Sequence, residues 1–401
     1  MIKVLHVLHQ SPPNISGSST RTKLLLKWVD SADVKSIAIT SPFQAPFSSK
    51  KAISTEVFEG SGTKVYRTHL ISGLSVGDTS SISTKAIKAL TLPYFIYRLF
   101  TAVLNEKPSV LHAHATFICA ISALIVGKAT KTPVIYEIRS LWFENSNFKA
   151  GRVLRKLSKI LERFCIVKSD HVVAISDGLR KFAESAGQKG SSITVIRNGV
   201  DDDEVEEMSG SNVNLGGGIK KFAYIGSVIE LEGLDYVIQA VHLAVNKGLE
   251  LDFHIYGDGP AREALEAAAK QAGLPIIFHG RFTPSDAHKI YREIDIVVNY
   301  RKSNSVSETV TPLKPLEALL YKKGLICADV GGYREILDGK YAKYVAPDSP
   351  EKLAEAMIEV ALDQCSLPCP NEGFKFVTQE RLWSANGARY REIYKKAVNG
   401  L

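Results

Sequence analysis

Lys314 and Glu317 stand three residues apart in TVTPLKPLEALLYKKG, residues 309–324. That spacing puts both side chains on one face of a helix. Pro312 and Pro315 precede a Glu-Ala-Leu-Leu run, and proline suits a first helical turn because its missing N–H would have no partner there. Amides at such a start attract anions. A lysine there suits a phosphate, and a carboxylate one turn in suits a sugar hydroxyl. The pair would hold a diphosphate and a ribose diol together.

Other stretches carry chemistry at the ends of β-like runs. QSPPNISGSSTRT follows the first such run. Gly17 would let a ligand approach the backbone, while Ser18 and Ser19 add donors. An ordinary strand-to-helix loop explains the same residues equally well. Arg21, just inside the next helix, reads as a ligand or a surface charge. In SVLHAHAT, His112 and His114 alternate and share a face. They suit a metal, or one histidine, His114, could meet a sugar or a developing phosphate charge. In PVIYEIRSLWFENS, Glu137, Arg139 and Trp142 leave a buried run. They would line a ligand cleft with Trp142 stacked on a sugar, or Glu137 and Arg139 form a structural pair. YIGSVIELEGLDYVIQAV, with Gly226, Ser227 and Gly233, is a second strand-to-helix anion position. IYGDGPAREALE reads as a structural turn. Asp201–Asp203 lie in an acidic stretch and read as solvated. No nucleophile elbow and no Gly-x-Gly-x-x-Gly after the first run appear, which argues against covalent hydrolysis and a dehydrogenase.

The elements that must position these residues alternate regularly. IKVLHVL, SIAIT, KVYRT, SVLHAHA, PVIYEI, HVVAIS and TVIRN read as strands in the first half. KFAYIG, LDFHIYG, IIFHG, IDIVVNY, GLICAD and KYVA read as strands in the second. Helical patterns such as Thr22–Val29, Phe117–Ala129, Leu154–Lys168 and Leu234–Asn246 lie between them. Alternation of this kind implies parallel sheets covered on both faces. The fold class is therefore α/β, with two doubly wound Rossmann-like domains and ligands beyond the carboxyl ends of the strands. Asn198–Gly218 is acidic and then Ser/Asn/Gly-rich, a linker signature. We expect a first domain over 1–200, a linker over 201–218, a second domain over 219–378, and a terminal helix over 379–401. Leu382, Tyr390, Ile393 and Tyr394 of that helix are available to pack back on the first domain.

The composition, 45% apolar and 23% charged over 401 residues, is that of a soluble globular chain with more than one core. Five cysteines, at 119, 165, 327, 365 and 369, are odd in number and mostly in apolar runs, so a disulfide framework is not expected and a reducing cytoplasm is. The N-terminal apolar run is too short for a signal peptide. Residues 1–200 hold 27 Lys+Arg against 12 Asp+Glu, and the remainder 23 against 30. A basic half of this kind suits an anionic partner. No zinc-finger or RRM-like pattern supports nucleic acid. The amphipathic stretch Lys85–Leu104 suits a membrane surface, or packs Leu90, Phe95, Leu99 and Val103 into its own core.

Taken in order, the SPPNISGSS loop, VLHAH, VVAISDGLRKF, VIRNGVD, YIGSVIELEGLD, IYGDGP, FHGRF and VTPLKPLEALLYKKGLICADVGGYREIL resemble the retaining GT-B glycosyltransferases, the family of sucrose-phosphate synthase and phosphatidylinositol mannosyltransferase. The resemblance spans nearly the whole chain. VTPLKPLEA and YEIRSLWFENS look closest to its bacterial branch associated with exopolysaccharide and exosortase gene clusters. It implies a sugar moved from a nucleotide-sugar, UDP-linked above all, to a hydroxyl of a glycan or lipid-linked acceptor, without a cofactor or metal. The donor would lie on the second domain. Glu317 would bind the ribose, while Lys314 and the backbone of Thr311, Pro312 and Leu313 would hold the diphosphate. Gly226, Ser227, Arg281, Phe282, Arg301, Gly17, Ser18 and Arg21 complete the implied donor set. His114 and Glu308 would meet the sugar or the departing phosphate. Glu137, Arg139 and Trp142 would face the acceptor, at the inner face of the cytoplasmic membrane.

The departures from the family pattern are specific. Where the family usually has a basic residue after the first glycine and a lysine before the second, this chain has Ser227 and Glu232. The family's two-glutamate spacing keeps its second member, Glu317, whereas Thr309 stands at the first and Glu308 one residue early. Lys314 then becomes the expected replacement for the lost phosphate grip. Two other readings share the architecture: a sugar-nucleotide 2-epimerase, and a glycosyltransferase-like membrane-associated subunit that binds without turnover.

Overall fold

The computed structural model describes residues 1–12, 16–42, 55–58, 60–68, 82–144, 151–208 and 219–400; the side chains of residues 82–90, 142, 284 and 285 fall outside that set. Two compact units emerge, Met1–Arg197 with Trp383–Leu401, and Asn198–Leu382.

Among the described residues the first unit holds eight strands: β1 (Ile2–Leu8), β2 (Val34–Thr40), β3 (Thr55–Val57), β4 (Lys64–Tyr66), β5 (Val110–His114), β6 (Val134–Ile138), β7 (His171–Ala174) and β8 (Ile193–Val195). Their order across the sheet is β3-β4-β2-β1-β5-β6-β7-β8, parallel except for the β3–β4 pair. β5, β6 and β7 are buried along their whole length, so their sequences run apolar without alternation, as strands covered on both faces do. Chain order reverses between β1 and β5. Such a switch point opens a crevice at the carboxyl ends of the strands. The register there sets His6 of β1 beside His112 of β5, and His114 of β5 beside Glu137 of β6.

The second unit holds β9 (Lys221–Ile225), β10 (Asp252–Tyr256), β11 (Ile276–Gly280), β12 (Ile296–Asn299), β13 (Gly324–Ala328) and β14 (Lys343–Val345). All pair in parallel, in the order β11-β10-β9-β12-β13-β14, with the switch point between β9 and β12. Gly257 and Gly259, after β10, fit against the loop after β9. A Cβ at Gly257 would lie 1.7 Å from the Gly226 carbonyl oxygen, and one at Gly259 2.2 Å from that of Val228. Close backbone approach explains why IYGDGP is written with glycines.

Helix boundaries follow local chemistry. Ser16 caps Gly17–Val29 by accepting from the Ser19 amide, and Thr283 and Asp286 form a reciprocal capping box at Pro284–Glu293. The terminal helix Trp383–Asn399 belongs to the first unit, where Trp383, Tyr390, Ile393 and Tyr394 enter the core. It meets the helix Gly17–Val29 at Gly387, where a Cβ would lie 2.2 Å from the Trp28 carbonyl oxygen.

Two expectations need correction. The stretch 201–218 is not all linker: Asp202–Met208 is a helix of the second unit, and Met208 enters its core. Val205 and Met208, three apart, are the apolar pair that docks it; residues 209–218 fall outside the described set. Asp201, expected to be solvated, is buried. Lys85–Leu104 lies within the helix Ile82–Glu106, where Phe95, Leu99 and Val103 are core residues. The side chains of Lys85, Lys88 and Leu90 lie outside the described residues. Among those described, no helix is long and apolar enough to cross a membrane.

Candidate functional site

The loop after β9 and the short helix Lys314–Leu320 meet beyond the carboxyl end of the second unit's sheet. Gly226 (φ +144°) leaves the space that the lysine fills: a Cβ there would lie 2.2 Å from Lys314 Cε. The Lys314 ammonium lies 2.9 Å from Glu232 Oε2 and donates to the Tyr224 hydroxyl at 2.5 Å. That hydroxyl donates in turn to the Ser227 carbonyl at 2.6 Å. Arg301, which follows β12, donates from Nη2 to Glu232 Oε1 at 3.1 Å. One carboxylate thus sits between two cations. Burial would raise the Glu232 carboxyl, but the guanidinium and the ammonium outweigh it and hold the group down at about 2. Burial pushes the Lys314 ammonium the other way, below the usual lysine range.

The cluster keeps one positive charge in excess. That count takes Glu232, Arg301 and Lys314 alone; Glu317 also acts on the Lys314 ammonium. Glu232 stands where the family usually carries lysine, and the lysine comes instead from a separate helix. Arg301, expected as a helper on the diphosphate, is a buried partner of Glu232 and lies 5.7 Å from the centre of the Tyr333 ring. Glu317 accepts from Tyr291 at a long 3.4 Å, and burial raises its pKa. Thr311 is buried, and its carbonyl accepts from Asn198 Nδ2 at 2.9 Å; Pro312 is buried and Leu313 half-buried. Ser227 is exposed beside the lysine. Arg281 is exposed, 3.5 Å from Asp258, while Phe282 packs on the core. Glu308 is exposed, and its Oε2 accepts the Gly331 amide at 2.7 Å, tying it to the loop after β13.

The first unit places its predicted residues differently. Glu137 is fully buried and accepts from Arg21 Nε at 3.0 Å, from Arg139 Nε at 2.6 Å, and from the Tyr390 hydroxyl. Arg21 also donates to the Ile196 carbonyl and to Tyr390. Arg139 donates to the Ser18 carbonyl and hydroxyl and to Thr22. Burial alone would raise the Glu137 carboxyl, yet Arg139 and Arg21 hold it well below the carboxylate range. Arg21, expected at the donor, and Glu137 and Arg139, expected at the acceptor or as a structural pair, are hydrogen-bonded to one another in this structure. The Trp142 side chain lies outside the described residues. Gly17 and Ser18 open the helix Gly17–Val29, with Gly17 exposed and Ser18 half-buried.

His114, expected to meet the sugar or the departing phosphate, is enclosed as well. It is 1% exposed, and both ring nitrogens are engaged, Nδ1 by Arg139 Nη2 at 2.9 Å and Nε2 by His6 Nδ1 at 3.0 Å. A guanidinium can only donate, so His114 carries its proton on Nε2 and gives it to His6. His6 then donates from Nε2 to Ser36 Oγ at 3.2 Å. His6, His112 and His114 offer donor atoms within 4.8 Å of one another. An ion there would have to part the His6–His114 hydrogen bond and sit near the Arg139 and Arg21 guanidiniums, which is poor electrostatics for a cation. The part of His6 was missed in the sequence; its place two strands from Glu137 at the switch point becomes visible only once the strand order is known.

Burial depresses all three histidine pKa values, that of His114 to about 3. Below about pH 6.5, unfolded histidines take up protons that the folded ones refuse, so stability is complete above that pH and falls as the pH drops towards 3. Glu162, raised by burial to about 8, acts oppositely, losing its contribution as the pH rises from its unfolded value to 8. Three histidines outweigh one glutamate on the acid side. Denaturant melts followed by tryptophan fluorescence should show the first unit weakening steeply below pH 6. Trp28, Trp142 and Trp383, the chain's three tryptophans, all belong to that unit. A flat profile from pH 7 to 4 would contradict the buried neutral histidines.

Residues 219–363 match the family model described as glycosyl transferases group 1, and residues 81–204 match glycosyltransferase family 4. The chain belongs to the GT-B glycosyltransferases. Sucrose-phosphate synthase from Thermosynechococcus elongatus shares the fold over all of both chains, with 14% identity and a TM-score of 0.77. The Anabaena protein HepE, solved in complex with UDP and glucose, shares it over 99% of this chain and 100% of that one, at 14% identity and a TM-score of 0.71. An uncharacterized glycosyltransferase of Methanocaldococcus jannaschii is 23% identical over 252 residues, 60% of this chain. The chain spans 62% of the length of that relative. In this glycosyltransferase the group 1 match contains the Glu232, Arg301 and Lys314 cluster.

Proposed function

We propose that the chain transfers a sugar from a nucleotide-sugar, UDP-linked, to a hydroxyl of a glycan or lipid-linked acceptor in bacterial surface or exopolysaccharide synthesis. The anomeric configuration is retained. The second unit binds the donor: Lys314 takes the diphosphate, Ser227 and the backbone around Thr311–Leu313 assist, Glu317 takes the ribose, and Glu308 meets a sugar hydroxyl. The observation that carries this reading is the lysine seated on Gly226, with one positive charge in excess around Glu232. HepE, of the same fold, has been solved with UDP-glucose, which supports a UDP donor.

In this reaction the bond from the anomeric carbon to the diphosphate breaks. The acceptor oxygen bonds to the same face, and its proton passes to the departing phosphate. Charge grows on that phosphate, so a preorganised cation beside it is the largest catalytic contribution. No metal is needed if the lysine supplies the charge.

Calorimetry with UDP-, GDP-, dTDP- and ADP-linked sugars tests the reading. We expect one base to bind clearly, UDP first, and turnover with an acceptor to survive a chelator. Binding without turnover would favour the non-catalytic subunit, and consumption of donor without acceptor the epimerase. No binding across the panel would overturn the donor assignment.

A further inference from the structure

The helix Arg152–Lys168 is inside out. Its buried side carries Ser158, Glu162, Cys165 and Ile166. Val153, Leu157, Ile160, Phe164 and Val167 are each 41% to 83% exposed. Their spacing of four, three, four and three places them in one stripe along the outer face. Core logic would have turned that stripe inward. Instead Glu162 is enclosed, accepting from the Tyr136 hydroxyl at 2.6 Å, and burial raises its carboxyl to about 8, so it is a neutral acid at pH 7.

The charges beside the stripe have one sign. Arg152, Arg155, Lys156, Lys159, Arg163 and Lys168 are the helix's bases, and Glu162 is its sole acid. The nearest carboxylate to Lys159 is Glu144 of the preceding turn, at 3.9 Å. On a helical wheel of 100° per residue, Arg152, Lys156, Lys159 and Arg163 cluster along one edge of the stripe and Lys168 borders the other. The helix packs on its neighbours Phe117–Thr130 and Asp177–Ala186, and the first of these exposes Ile125 on the same unit.

We infer that the outer face of Arg152–Lys168 docks on an anionic phospholipid bilayer, with Ile160 and Phe164 entering the headgroup boundary and the flanking bases meeting lipid phosphates. An apolar stripe rimmed by bases is what an interfacial helix requires. A second copy of this chain is a poorer occupant, because a twofold contact would set one basic rim against another. The inference deepens the acceptor reading above by naming the surface that would bring the first unit to a lipid-linked substrate. It also moves the membrane contact away from Lys85–Leu104, whose Phe95, Leu99 and Val103 are core residues.

The test is cosedimentation of the full chain with phosphatidylcholine vesicles and with equal mixtures of phosphatidylcholine and phosphatidylglycerol, with no sugar present. The parent should bind the anionic vesicles, bind the neutral ones far less, and detach in high salt. Ile160→Glu with Phe164→Glu should abolish binding without lowering the melting temperature, since both positions are exposed. Lys156→Gln with Lys159→Gln should weaken it about thirtyfold, taking roughly fivefold per base at the surface. Equal binding of the parent to both vesicles, or undiminished binding by the Ile160/Phe164 variant, overturns the inference. So does a dimeric parent that the same pair of changes makes monomeric, which would assign the face to a second copy. Nucleotide-sugar binding is measured separately on the same proteins, so failure of the donor reading would appear there and leave the vesicle result standing.

Discussion

Replacing Lys314 with alanine should lower kcat/KM for the nucleotide-sugar by about 10²- to 10³-fold, the loss seen when one preorganised charge-stabilising group is removed, roughly 3–4 kcal/mol. Most of the loss should fall on kcat, because the leaving diphosphate carries more charge in the transition state than in the bound donor. The fold should tolerate the change. Arg301 remains to balance Glu232, so removing the lysine leaves no buried charge without a partner. Glu232→Gln separates the two duties of the cluster. It releases the Lys314 ammonium from its internal anion, so donor affinity should hold or rise. It also leaves the Arg301 guanidinium buried without an anion, so the second unit should melt earlier. Lys314→Ala with unchanged kcat/KM would remove the lysine from the mechanism. Glu232→Gln losing donor binding in step with Lys314→Ala, at unchanged stability, would make the glutamate the ligand instead.

The contrast between the two units shows what the sequence could and could not disclose. Thirteen of the fourteen strands among the described residues are legible as apolar runs between turn residues; the exception is β3, three residues pairing antiparallel at the sheet edge. Lys314 is legible because the missing family lysine at 232 and the extra one at 314 pose the same question from two sides. What linear spacing cannot give is the partner. Glu137 and Arg139, two apart on a strand exit, look like a pair open to a ligand until Arg21 and Tyr390 close around them from 116 and 253 residues away. His114 looks like a cleft residue because it ends a strand, but the strand order places His6 and Arg139 against both its nitrogens. The helix Arg152–Lys168 is legible as a helix from Leu154 on, but spacing alone does not say which of its faces turns inward. Only the enclosure of Ser158 and Glu162 shows that the apolar stripe faces out.

The largest effect on stability should come from Glu137→Ala. The carboxylate is fully buried with two guanidiniums, a tyrosine hydroxyl and the histidine pair around it. Removing it strands two buried cations, and breaking one buried pair already costs about 3–5 kcal/mol. A domain with a stability of about 5–15 kcal/mol has little to spare. The network also joins β6 to the helices Gly17–Val29 and Trp383–Asn399, so its loss should release the terminal helix as well. Glu137→Gln keeps a neutral acceptor of the same shape and should lose roughly half as much. Calorimetric melting should resolve two transitions, with the first unit shifted down sharply and the second, Asn198–Leu382, almost unmoved. Nucleotide-sugar binding by folded Glu137→Gln should match the parent. A direct contact with the acceptor predicts the reverse, an unchanged melting temperature with a raised acceptor KM, and that outcome would return Glu137 and Arg139 to the binding site. The buried geometry argues for the first result, because a carboxylate already held by Arg21, Arg139 and Tyr390 would have to break one of those bonds to meet a sugar hydroxyl.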